Sequence, residues 1–353
     1  MAVYLVNIAL ILFWRLYFTQ KRGPNSRKRF CAVAAVQWIL ISGLRKWDVG
    51  ADTYAYYNNF ERMKATSWGS VLEDLLCYLL RGLDTKDPGY EVMVKLFQLF
   101  SQNYQVFLLA IAVFFMTLMA IWIYKNSASP CTSFLLFSTL FYSFYAITGH
   151  RQVIATALVS FVGYERIKQR KFWKFMAVTF IAFLIHKSSL VFLPLYFIAG
   201  LPVTTGYRIL CAVIVAIIAV LGKRLYGPIA LWIGYSEGQI ESTIGGAELY
   251  ATLLVMLCIL VWFLYPRIRN HRSDAPLLFH INVMTLISGL LVIQNQSFMR
   301  IQQYFSLFLM ITVPEVINTV KREYRLLVYW LFGAVMILYL IQNNPQYQFF
   351  FMS

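Results

Sequence analysis

Four places in the chain set a cation directly beside an apolar run: Arg45, His150-Arg151, His186-Lys187 and Arg300. Gln152 follows Arg151, and Gln302, Gln303 and Tyr304 follow Arg300. On a helix Arg300 and Tyr304 share a face at i, i+4. Guanidinium forks grip phosphate oxygens two at a time, and an imidazole can act as acid, base or phosphate ligand. Carboxylates lie close by in sequence. Asp52 stands in VGADTYAYY after Arg45, and Asp87 and Glu91 stand in DPGYE. Asp52 could take a proton from a hydroxyl, or pair with Arg45 and fix the loop. Gly50 allows a tight turn there, and Asp52-Thr53 suits a helix start. Asp87-Pro88 also reads as a helix start, with Asp as N-cap and Pro at the first helical position. That accounts for Asp87 better than for Glu91. Each cation has a plain reading too, as a snorkelling side chain or a polar corner at a membrane edge.

The elements that would hold these residues are apolar helices. Of the 353 residues, 60% are hydrophobic and 13% charged, against about 25% charged in soluble domains. The pattern predicts an all-α, polytopic integral membrane bundle of about twelve spans. They fall near 2–19, 29–44, 104–124, 131–148, 151–165, 172–185, 188–200, 208–222, 249–265, 276–294, 299–318 and 325–342. The whole chain, 1–353, reads as one transmembrane domain. The interval 172–200 holds HKSS at its middle and reads as two short spans or a broken, re-entrant segment. Short basic loops, such as KRGPNSRKR (21–29), ERIKQRKFWK (165–174) and PRIRNHR (266–272), should face the cytoplasm. The interval 45–103 is close to neutral and should lie outside, with both termini. Within it VLEDLLCYLLRGL (71–83) and YEVMVKLFQLF (90–100) have the spacing of amphipathic helices. A second outer loop spans 223–248, where YGPIALWIGY (226–235) suits an interfacial segment and Gly245-Gly246 marks a turn.

The net charge of +16 invites a nucleic-acid reading. The basic residues instead sit in short loops between apolar runs, the positive-inside signature, so nucleic acid is excluded as a partner. Five single cysteines, at 31, 77, 131, 211 and 258, show no metal or redox spacing. No metal-ligating set is visible, so no cofactor is expected. The first apolar run lacks a basic n-region and a cleavage site and reads as a retained span. No internal repeat aligns, which argues against a secondary transporter. Cations gathered at one membrane edge suit an anion held at head-group depth, such as a lipid-linked phosphate or pyrophosphate.

Five short motifs, R…VGADTYAYYNNF (45–60), DPGY (87–90), RQVIATAL (151–158), HKSSLVFLP (186–194) and RIQQYF (300–305), resemble in order and spacing the EpsG family of bacterial polysaccharide polymerases. That family is related in role to Wzy-type repeat-unit polymerases of O-antigen, capsule or exopolysaccharide. The resemblance implies a C-type glycosyltransferase-like bundle in the bacterial cytoplasmic membrane, with its active site facing the periplasm or exterior. Its substrate would be a polyprenyl-pyrophosphate-linked oligosaccharide, its surroundings membrane lipid, with a flippase and a chain-length regulator as neighbours. The growing glycan would pass from its lipid pyrophosphate to a sugar hydroxyl of an incoming unit; one carboxylate rather than a close pair leaves the stereochemical outcome open, with inversion by direct displacement favoured. Arg151 and Arg300 would hold pyrophosphate, with Arg45 in support. Asp52 would activate or orient the acceptor, with His186 as the rival base. Gln152 and Tyr304 would touch sugar or phosphate, and Thr53, Tyr56, Glu91, His150 and Lys187 complete the expected substrate contacts. An O-antigen ligase would share the pyrophosphate site and differ in acceptor. A flippase or transporter of lipid-linked oligosaccharide would need cations along a path across the membrane. An acyltransferase would need its His and Arg on the cytoplasmic side.

Overall fold

The computed structural model describes residues 1–20, 23, 25–82, 87–232 and 247–352. Among them helices predominate, and the strand pairing is one isolated antiparallel bridge between Arg45 and Phe349. Six helices are long and apolar enough to cross a membrane: Ala2–Gln20, Tyr104–Asn126, Thr205–Gly222, Glu248–Arg269, Ala275–Gln294 and Arg322–Asn343. The other expected spans fall on helices that carry charge at one end or are short or interrupted. Ser26–Gly43 opens with Arg27, Lys28 and Arg29. The 299–318 stretch breaks between Met299–Ser306 and Leu309–Asn318.

The segment 172–200 is two short pieces. Phe172–Ile185 is an α-helix, His186 is extended, and Lys187–Phe192 continues as a 3-10 helix before Pro194–Ile198. Thr205–Trp232 runs on past residue 222, so the first part of the expected 223–248 loop is helix. The rest of that loop, with Gly245-Gly246, lies outside the described residues.

Two stretches depart from α geometry. Phe137–Phe141 and Ser143–Thr148 are π-helical, as is Ala157–Gly163. In the first, Ser138 donates to the Phe134 carbonyl and Thr139 to the Leu135 carbonyl (2.7 and 2.8 Å). These hydroxyls compete for the i−4 carbonyls that an α-helix needs. The wider turn changes which residues share a face. Leu140, Phe141, Phe144, Tyr145 and Thr148 all face one cavity, near the wider repeat expected of i→i+5 pairing.

The loops segregate to opposite ends. At one end the amino terminus donates to the Pro345 carbonyl (2.7 Å), and the Lys46 N–H to Gln348 (2.9 Å). Helices Thr53–Ala65 and Pro88–Gln98 pack there, burying Phe60, Met63, Tyr90 and Val94 against Tyr104, Phe107 and Ile154. Between them Trp68–Arg81 buries Val71 and leaves Leu72, Leu76, Leu79 and Leu80 exposed. At the other end the basic loops meet. Arg272 pairs with Asp274 (2.8 Å) and Glu315 (2.9 Å), and the Tyr164 hydroxyl donates to Asp274 (2.6 Å). Between the ends, rings fill the core: Phe115 stacks on Tyr145 and Phe192 on Phe305.

Candidate functional site at the neutral end

The turn that precedes helix Pro88–Gln98 places the central carboxylate. Asp87 takes a left-handed backbone (φ 55°), which Asp tolerates better than most residues. Gly89 then packs against the end of Phe172–Ile185, where a Cβ would meet the Leu184 carbonyl oxygen at 2.5 Å. Only a bare backbone fits that close, and the contact sets Asp87 opposite His186. Asp87 stands at the N-cap position, yet its side chain makes no cap hydrogen bond. Sequence reasoning gave it the capping role; packing turns the carboxylate elsewhere.

Asp87 is buried and serves three donors. Its Oδ2 lies 2.9 Å from His186 Nδ1 and 3.1 Å from Arg151 Nη1, and its Oδ1 accepts from the Lys187 N–H at 3.2 Å. Burial pushes the Asp87 carboxyl up. The hydrogen bond and charge of His186, the charge of Arg151 and the Lys187 N–H outweigh it and hold the group below the ordinary carboxylate value. A carboxylate on Nδ1 holds the N–H at that nitrogen, so in the neutral ring the lone pair is on Nε2. That Nε2 has no protein partner among the described residues.

Arg151 lies over the rings of Tyr56 and Tyr90 (5.6 and 5.9 Å to the centroids). Behind Tyr56, His150 stacks at 4.2 Å, and its Nε2 accepts from Arg45 Nη2 at 3.0 Å. Arg45 and His150 are both buried. Arg45 also donates to the Ser42 carbonyl. It does not pair with Asp52. A chain of contacts thus runs from Arg45 through His150, Tyr56, Arg151 and Asp87 to His186.

This chain backs a cavity of about 620 Å³. Asp52, Tyr56, Arg151, Gln152, His186 and Arg300 form its polar wall, and Phe141, Phe144, Tyr145, Tyr250 and Tyr339 its aromatic wall. Gln152 donates to the Arg300 carbonyl and so joins two helices 148 residues apart. Asp52 is exposed, and its carboxylate has no hydrogen bond or ion pair among the described residues. Six expected contacts lie off the cavity, Arg45 and His150 behind it and Thr53, Glu91, Lys187 and Tyr304 elsewhere. Thr53 is buried and donates to the Gly50 carbonyl (2.8 Å). Glu91 holds Arg62 and Asn59. The Lys187 side chain is exposed, and the buried Tyr304 hydroxyl meets Ser188 Oγ at 3.1 Å. Among the described residues no cluster of three or more His, Cys, Asp or Glu side chains could hold a metal ion.

Asp87 is the residue that sequence reasoning undervalued, because a DP pair has a sufficient local explanation. Tyr250 and Tyr339 had no signal, since aromatic residues make up 17% of the chain.

Chemically, the cavity offers guanidiniums for an anion, an oriented imidazole for a proton and rings for a sugar face. The fold and this site define a multi-pass helical membrane protein with one polar cavity at its neutral end. Residues 28–351 match the EpsG family, and the chain belongs to that family of Wzy-like polysaccharide polymerases. No curated protein and no solved structure matches the chain.

Proposed function

We propose that this protein polymerises lipid-linked oligosaccharide repeat units at the outer face of the bacterial cytoplasmic membrane, in a C-type glycosyltransferase-like bundle of about twelve spans. The observation that carries the reading is the sharing of Asp87 by His186 and Arg151 at the wall of one cavity that Arg300 also lines. Arg151 and Arg300 hold the pyrophosphate of the donor. His186 Nε2 takes the proton of an acceptor sugar hydroxyl, and Asp87 steadies the imidazolium that forms. The hydroxyl oxygen attacks the anomeric carbon, and the bond to pyrophosphate breaks. The leaving oxygen departs with the electron pair into the field of the two arginines. Displacement in one step inverts the anomeric centre. Asp52, at the cavity mouth, orients the acceptor, which makes His186 the base. The aromatic wall receives sugar rings.

The depth of the corner supports a lipid-borne donor. Phe172–Ile185 has 14 residues, a length of about 21 Å, short of the roughly 30 Å hydrocarbon core. If that helix starts at the inner head groups, His186 lies within reach of a pyrophosphate held at the outer ones by an embedded carrier. Arg151, His186 and Arg300 line one cavity at one end, which favours a one-sided active site over a flippase.

The test is polymerisation of a defined lipid-linked repeat unit by the purified protein, with product linkage read by NMR. A ladder of chain lengths with an inverted linkage supports the reading. Transfer of a single chain to a non-polymeric acceptor, with no ladder, points to a ligase and overturns it.

A further inference from the structure

A second cavity, of about 560 Å³, opens at the basic end of the bundle, and Arg15, Arg27 and Arg325 line it. They come from three helices: Ala2–Gln20, Ser26–Gly43 and Arg322–Asn343. Arg27 donates to the carbonyls of Tyr124 (3.1 and 2.8 Å) and Ser127. Arg325 donates to those of Asn318 (2.8 Å) and Val320 (3.2 Å). These bonds aim the guanidiniums and cancel no charge. The Arg15 guanidinium makes no hydrogen bond, and none of the three arginines has a carboxylate in ion-pair range among the described residues. Arg272, at the same end, is the contrast, neutralised by Asp274 and Glu315. Three like charges around one cavity repel, and an anion between them relieves that repulsion.

The walls say which anion. Helix Ala2–Gln20 exposes Leu12 and Leu16 on either side of Arg15, and Arg322–Asn343 exposes Leu326, Leu327 and Trp330 beside Arg325. On spanning helices such side chains meet lipid tails, so the cavity is flanked by acyl-chain surface. Phosphate suits guanidinium forks, and basic pockets between membrane helices hold anionic head groups. We propose that this cavity binds the phosphate of an anionic phospholipid from the adjoining leaflet. The site is separate from the glycan cavity and does not depend on that chemistry.

Native mass spectrometry of the full chain in detergent tests it, with phosphatidylglycerol, diacylglycerol of the same acyl chains, or inorganic phosphate added. The wild type should retain one phosphatidylglycerol under activation that strips diacylglycerol. Arg15→Gln removes a side chain that holds nothing in the fold, and should weaken retention about tenfold, as expected for one charged hydrogen bond. Arg325→Gln should do the same, while Arg15→Gln is the variant that leaves every hydrogen bond of the fold in place among the described residues. Equal retention by wild type and both variants would overturn the proposal. Equal retention of diacylglycerol would also overturn it, and so would arginine-dependent binding of inorganic phosphate without retained phosphatidylglycerol.

Discussion

His186 Nδ1 lies 2.9 Å from Asp87 Oδ2, across 99 residues of sequence. The pair joins a loop capping the bundle to a corner between two short membrane helices, and its other arm is Arg151. If His186 is the base, Asp87 is its positioning residue. Asp87→Asn should then lower turnover at least a hundredfold, within the usual range for general-base catalysis. The KM for donor should change less. Wild-type turnover in Asp87→Asn would remove His186 as an Asp-oriented base.

Arg151 and Arg300 should act on the leaving pyrophosphate. Arg151→Ala and Arg300→Ala are each expected to lower kcat by about 10²–10³. In cells, the surface-glycan ladder should collapse toward a single repeat unit. Normal ladders from variants that reach the membrane in wild-type amounts would sink the assignment.

Arg45 and Asp52 should separate into structure and turnover. Arg45 is buried on Ser42 and His150. Arg45→Ala should destabilise by about 2 kcal/mol or more, through lost bonds and the void left. Asp52 is exposed, so Asp52→Asn should leave stability within about 0.5 kcal/mol of wild type. It should still slow transfer to poor acceptors. Melting curves and acceptor kinetics on the two variants decide between these roles.

Gly89→Ala would place a methyl group against the Leu184 carbonyl. The shift needed to clear it should cost roughly 1–3 kcal/mol and loosen Asp87 from His186. Activity should fall along with stability. A fully active, fully stable Gly89→Ala protein would show that the Asp87 turn is not set by this contact.

The folded Asp87 carboxyl titrates below its ordinary value. Its contribution to stability is therefore complete above the unfolded value, about pH 4, and is lost as pH falls through the lower folded value. The difference in melting temperature between wild type and Asp87→Asn should be full at about pH 5 and shrink below about pH 4. A difference unchanged down to pH 3 would mean that the fold does not lower the Asp87 carboxyl.

Much of this protein is legible in its sequence, because hydropathy and loop charge are local quantities. Apolar runs mark the helices, Lys and Arg mark the basic end, and the cations at 151, 186 and 300 stand out because charge is expensive beside a membrane. Six of the twelve residues singled out from sequence line one cavity. Tertiary structure decided the rest, because the direction of a side chain at a corner depends on which helix packs there. Asp87 had a complete local explanation as a cap, and only the contact of Gly89 with Leu184 turns its carboxylate to His186 and Arg151. Arg45 had Asp52 seven residues away, yet packing gave it His150. The aromatic wall comes from Phe141, Phe144 and Tyr145 on a widened helix and from Tyr250 and Tyr339 far along the chain. Helical periodicity tells which residues share a face. It carries nothing about which faces of distant helices will meet.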